Sequence, residues 1–233
     1  MPAPFLMPIA TATAALALRG DVPAVKVRVA RPRGSLYWGG AGLDGPYIRP
    51  QLEAFQAAGL RHVHTGLTNT ASQHLGKNIG ALLDAMRSGA LIRFEDEDDW
   101  TIVSGMDGRA PQFNLIGYSY GSLLAAQTAN SYARKGHVVD HLVLIGSPID
   151  ITFLASLQAN RCIRKVIVVD LTEHGDPIHA GISQVELLQA VPLLKRQQDR
   201  DRGEGHFYYA HVVPDSPRRW KQLSELLVRS GLA

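Results

Sequence analysis

Apolar runs alternate with stretches of helical periodicity along most of this chain, and few folds can absorb that alternation. An apolar run of about four to eight residues between amphipathic segments reads as a strand covered on both faces, since a half-exposed strand would alternate polar with apolar. Residues 112–116, 138–145 and 163–171 are runs of this kind, with shorter ones at 35–38 and 61–65. Helical patterns occupy residues 50–58, 79–86, 122–136, 184–194 and 217–229. The succession predicts an α/β fold, a mostly parallel sheet with helices on both faces. A further run at 25–29, turned into 35–38 by Arg31-Pro32-Arg33-Gly34, suggests that the sheet opens with an antiparallel pair. The 233 residues, 45% of them hydrophobic, are enough for one such unit with a filled core. With no repeat, low-complexity tract or linker in the way, residues 25–233 read as a single domain behind an apolar N-terminal segment, 1–24.

Within this pattern Gly117-Tyr118-Ser119-Tyr120-Gly121 falls between the run at 112–116 and the helix at 122–136. G-x-S-x-G between a strand and a helix is the setting of a nucleophile elbow, where a sharp turn lifts the serine hydroxyl above the sheet. Side chains at the two glycine positions would strike the neighbouring strand and helix. A serine hydroxyl is a weak nucleophile at neutral pH, so a base must take its proton and a third group must orient the base.

In folds with this elbow the acid and then the base follow the serine in the chain. The acid candidates are Asp150, Asp170 and Asp176. Asp176 is favoured, because Gly175 and Pro177 make a rigid turn just beyond the run at 163–171. The base candidates are His206, in the glycine-flexed stretch Gly203-Glu204-Gly205-His206, and His211, whose neighbours alternate like a strand. Two backbone N–H groups must meet the charge that develops on the carbonyl oxygen. Tyr120, directly after the serine, is one donor, and Gly40 or Ala41 in Trp38-Gly39-Gly40-Ala41-Gly42 is the other.

That loop also matches G-x-G-x-x-G over Gly40–Gly45, the signature of a dinucleotide-binding turn. Such a turn needs an acidic residue at the end of the next strand to hold a ribose, and residues 61–65 contain none. No nucleotide cofactor is expected there. His62 and His64 alternate on a short strand without a carboxylate or cysteine at ligand spacing, so no metal site is expected either. The 24 Lys and Arg, giving a net charge of +3, are scattered without interleaved aromatics, which argues against nucleic acid as a partner. The acidic run at 95–99 lacks the spaced glycine of a calcium loop, and the lone Cys162 excludes an internal disulfide.

Taken together, the Trp38-to-Gly42 loop, the GYSYG elbow, the Gly175-Asp176-Pro177 turn and the late Gly205-His206 resemble the α/β-hydrolase family, in particular its lipases and esterases. The resemblance runs from about residue 25 onward and lacks any long cap insertion, with only residues 68–76 available as partial cover. It implies Ser119 as nucleophile, Asp176 as acid, His206 as base, an acyl-serine intermediate and no cofactor. The small size and short oxyanion loop are similar to a bacterial phospholipase-type effector.

An acyl ester of a lipid is the expected substrate, with an acyl thioester as the alternative. Residues 1–18 carry no charged side chain, so a conventional signal peptide is not expected and the segment suits docking on the domain or peripheral contact with a membrane. The compartment stays open. Tyr37, Trp38, Phe207, Tyr208 and Tyr209 are expected to line an acyl groove beside the site.

Overall fold

A computed structural model describes residues 33–41, 45–67, 102–103 and 110–233. Its strands are β1 (Gly34–Trp38), β2 (Val63–Leu67), β3 (Ile102–Val103), β4 (Phe113–Tyr118), β5 (His141–Ile145) and β6 (Val166–Val169). They lie side by side in the order β3-β2-β1-β4-β5-β6. The five strands other than β3 run parallel, and β3 pairs antiparallel with β2. The helices are α1 (Ile48–Ala58), α2 (Tyr120–Arg134), α3 (Ile151–Ala159), α4 (Gln184–Arg200) and α5 (Ser216–Arg229).

Strand side chains alternate between two cores, as the pleat requires. On one face Leu36, Phe113, Leu115, Leu142 and Leu144 pack with Leu123, Ala126 and Ala129 of α2 and Phe153 of α3. On the other, Tyr37, Ile116, Tyr118, Val143 and Ile145 pack with Phe55 of α1 and Trp220, Leu223 and Leu227 of α5. Each fully buried Leu or Ile contributes about 1.5–3 kcal/mol from removal of apolar surface from water. Burial on both sides explains why β4 and β5 read as mainly apolar runs.

Asn114 is the polar exception inside β4. Its Nδ2 donates to Ser35 Oγ and to Gln112 Oε1, both at 3.0 Å, and its Oδ1 accepts from His141 Nδ1 at 2.8 Å. This network lies at the end of the sheet away from the elbow and holds the chain's last residues there. Gln112 Nε2 donates to the Gly231 carbonyl at 2.9 Å and Lys165 Nζ to that of Ser230 at 2.7 Å.

Strand β3 goes unread in the sequence, and two helices differ from expectation. α4 runs on past 194 to Arg200 despite Pro192, starting from a capping box in which Ser183 and Glu186 satisfy each other's backbone N–H groups. α3, unread in the sequence, begins where Asp150 Oδ1 accepts from Thr152 N and Phe153 N, both at 2.9 Å. The segments at 1–24, 25–29 and 79–86, and with them the proposed antiparallel opening pair, lie outside the described residues.

Candidate active site

β4 delivers the chain to Ser119, and three close approaches shape the corner. Ser119 takes φ 54° and ψ −126°, a conformation that costs a non-glycine residue on the order of 1–3 kcal/mol. A β-carbon on Gly117 would stand 2.3 Å from the Gly121 carbonyl oxygen, and one on Gly121 would stand 2.1 Å from that of Gly39. Only glycine fits either place. Ser119 N donates to the carbonyl of Ile145 at 2.8 Å, tying the corner to the end of β5. From below, the Ser122 hydroxyl donates to the Ser119 carbonyl and meets Ser147 Oγ at 2.7 Å, with both serines fully buried. The strain is therefore held from two strands and from the helix that follows.

The candidate acid, Asp176, stands in the turn beyond β6. Leu171 is fully buried, and its carbonyl accepts from His174 N and Asp176 N, which folds residues 171–176 into a tight loop around a short 3-10 turn, Thr172–His174. Asp176 is 4% exposed, and its Oδ1 accepts from Ile178 N at 2.8 Å. Its other oxygen, Oδ2, lies 2.9 Å from His206 Nδ1. His206 in turn stands at a second 3-10 turn, Gly205–Phe207, and its Nε2 lies 2.6 Å from Ser119 Oγ. The three side chains form one hydrogen-bonded line in which the carboxylate fixes the imidazole with Nδ1–H donating and Nε2 free to accept the serine proton. Gly146, at φ 50°, lets β5 end beneath this pair; a β-carbon there would stand 3.2 Å from Asp176 Oδ2.

The competing candidates go elsewhere. Asp150 caps α3, and Asp170 Oδ1 accepts from Ala180 N at 2.9 Å. His211 Nδ1 accepts from Gly203 N at 3.3 Å and stacks on Phe207 rather than reaching the serine. Among the described residues no cluster of His, Cys, Asp or Glu is arranged to hold a metal.

Residues 102–177 match the family model for the Thioesterase domain, a segment that runs from β3 through the elbow to Asp176. That family belongs to the α/β-hydrolase superfamily. The parallel sheet flanked by helices is an α/β architecture consistent with that superfamily. No curated protein and no solved structure matches the chain.

In this fold the loop after β1 lies directly over the elbow. A β-carbon on Gly40 would be 3.5 Å from Ser119 Cβ, so the loop passes within van der Waals reach of the serine. Gly40 N donates to the Tyr47 hydroxyl at 2.6 Å, a bond that no sequence feature announces. Tyr47 is buried, edge-on to Tyr118. Ala41 is exposed, and residues 42–44 lie outside the described residues. Tyr120 opens α2, so its N–H belongs to the positive end of a 15-residue helix.

The aromatics expected to line an acyl groove are mostly packed elsewhere. Tyr37, Trp38 and Tyr209 are buried in the two cores, and Tyr208 is sandwiched between His174, 3.7 Å away, and the Arg219 guanidinium, 4.1 Å away. Tyr118 holds His206: its hydroxyl donates to the His206 carbonyl and its ring stacks on the imidazole. Burial pushes the Tyr118 phenol far above its usual range, so it stays a donor at any ordinary pH.

Proposed function

We propose that this protein is a serine acyl hydrolase working through a covalent acyl-serine. Ser119 Oγ attacks the acyl carbonyl while His206 Nε2 takes its proton, and Asp176 steadies the imidazolium. The tetrahedral intermediate collapses as His206 returns that proton to the leaving thiol or alcohol. Water then repeats the sequence on the acyl-serine and releases the acid. Tyr120 N–H and Ala41 N–H are the proposed oxyanion donors, since Gly40 N–H is already engaged by Tyr47. The observation that carries the proposal is the unbroken line from Ser119 through His206 to Asp176, with Ser119 at a strained backbone corner.

An acyl thioester is the leading substrate class, supported by the family match over the segment that holds the elbow and the acid turn. A lipid oxyester is the second reading. It is favoured by an exposed apolar stripe on the first half of α4, where Val185, Leu188 and Val191 are 63%, 57% and 46% exposed. No described helix is long and apolar enough to cross a membrane.

The test is covalent labelling by a fluorophosphonate probe, followed by identification of the modified peptide. Ser119 should carry the label, and Ser119→Ala should lose both label and turnover, by roughly 10⁴-fold or more in rate, with its fold intact. Labelling at another serine would end the proposal.

A further inference from the structure

The acid and base of the proposed relay stand on different loops, and one side chain outside both loops joins their backbones. Gln197, on the last turn of α4, is 5% exposed. Its Nε2 donates to the Gly175 carbonyl at 2.8 Å, one residue before the acid. Its Oε1 accepts from the backbone N–H of His206 at 3.1 Å, on the base itself. We propose that Gln197 is a positioning residue that sets the spacing between Asp176 and His206. The inference rests on the serine hydrolase reading above.

The helix is built to bring this amide inward. Leu187, Ala190 and Gln197 share the buried face of α4. The first two pack on Ile178 and Ile182, which follow the acid in the chain, so the helix is anchored to the acid's own loop by apolar contact. A polar group then closes a face that began apolar. A primary amide carries a donor and an acceptor on one rigid plane, which matches a carbonyl on one side and an N–H on the other. Gly205 admits it: at φ 56°, a β-carbon there would stand 2.1 Å from Gln197 Nε2. Apart from the amide, the two loops meet through the Asp176–His206 hydrogen bond, the stack of His174 on Tyr208 and the apolar cluster that holds Leu171 and Tyr209. Displacements of about 1 Å at a reacting group are enough to cost two orders of magnitude in rate.

Gln197→Met keeps the length and bulk of the side chain and removes both bonds. Purified Gln197→Met should retain its circular dichroism spectrum, lose at least ten-fold in kcat on a chromogenic acyl ester with KM within two-fold, and label with the fluorophosphonate at least ten-fold more slowly. The low-field proton resonance of His206 Nδ1–H, identified by its absence in His206→Ala, should shift or broaden. A merely space-filling glutamine would move none of these. Gln198→Met, at an exposed neighbouring position, should change nothing. If Gln197→Met does not fold, Gln197→Glu carries the same expected loss in kcat, since it still accepts from His206 but cannot donate to Gly175. Unchanged kcat and resonance in a folded Gln197 variant would overturn the inference. Failure of the parent enzyme to label at Ser119 would instead remove the reading beneath it.

Discussion

Gly121 and Gly39 meet backbone to backbone, with the place of a β-carbon on Gly121 only 2.1 Å from the Gly39 carbonyl oxygen and 2.5 Å from that of Trp38. The second glycine of the elbow therefore answers to the loop after β1 as well as to its own turn. The serine and the backbone that would face its substrate oxygen are positioned by one contact.

Gly121→Ala should show this directly. No flexible side-chain tip stands in the way, only carbonyl groups of a parallel strand's end, so the loop must move. Overpacking of this kind costs about 1–3 kcal/mol, which for a chain of this size lowers Tm by roughly 2–4 °C for each kcal/mol. The rate should suffer more than the stability, by about 100-fold in kcat/KM, because Ala41 N–H, the proposed oxyanion donor on that loop, moves with it. Thermal melts and steady-state kinetics on one preparation measure both, and a variant with parental kcat/KM would contradict the shared-contact account.

The acid assignment can be separated from its neighbour in the chain. Asp176→Asn keeps shape but cannot hold the imidazole tautomer, and should lower kcat on the order of 10³–10⁴-fold. Asp170→Asn touches only the Ala180 N–H, an acceptor role that an amide oxygen can keep, and should stay within about two-fold. Equal losses from the two would mean that the acid is not Asp176.

A pH effect on stability should arise far from the elbow. His141 is surrounded by Asn114 on β4, Asp140 beside it, Arg164 and Lys165 ahead of β6, and Gly231 at the chain end. Burial holds its imidazole below the usual value of 6.5, with Lys165 and Arg164 adding to the effect and Asp140 opposing it. Because the folded value is depressed, the unfolded chain binds the proton more readily. The contribution of His141 is therefore complete above about pH 6.5 and is lost as pH falls below it. His211 is shifted the same way by burial and adds to the trend. Urea midpoints at pH 8 and pH 5.5 should differ less in His141→Gln than in the parent, and an identical pH dependence in both would refute the assignment.

The sheet was legible because strands buried on both faces write themselves as plain apolar runs, as residues 141–145 do. The elbow was legible because its two glycines answer steric demands that no other residue meets. α3 was not, since its first turn is an aspartate cap after a proline and its length falls below what periodicity can separate from a loop. The aromatics misled for a physical reason: Tyr37 and Trp38 are neighbours in sequence, yet on a strand they point into opposite cores. Gln197 and Tyr47 left no signal at all. Gln197 acts through the backbones of Gly175 and His206 and Tyr47 through that of Gly40, and a polar residue in a helix or loop reads as surface until the partner's position is known.

The remaining question is what the acyl group hangs from. A hydrolase acting on soluble thioesters meets its substrate one molecule at a time, and the stripe of Val185, Leu188 and Val191 on α4 then plays no part in turnover. An enzyme that works on lipid must approach an aggregated surface, and an exposed apolar stripe on the helix that follows the acid turn suits that contact. Replacing all three residues with serine removes the stripe without touching Leu187, Ala190 or Gln197 on the buried face. The parent should turn over long-chain acyl thioesters with a higher kcat/KM than short soluble esters, and the triple variant should keep both within about two-fold. On phospholipid vesicles the triple variant should bind more weakly and hydrolyse at least ten-fold more slowly than the parent. If the parent leaves vesicles untouched while cleaving thioesters, the lipid reading falls and the stripe needs another explanation. If it cleaves vesicle lipid and spares thioesters, the family match has pointed to the chemistry and not to the leaving group.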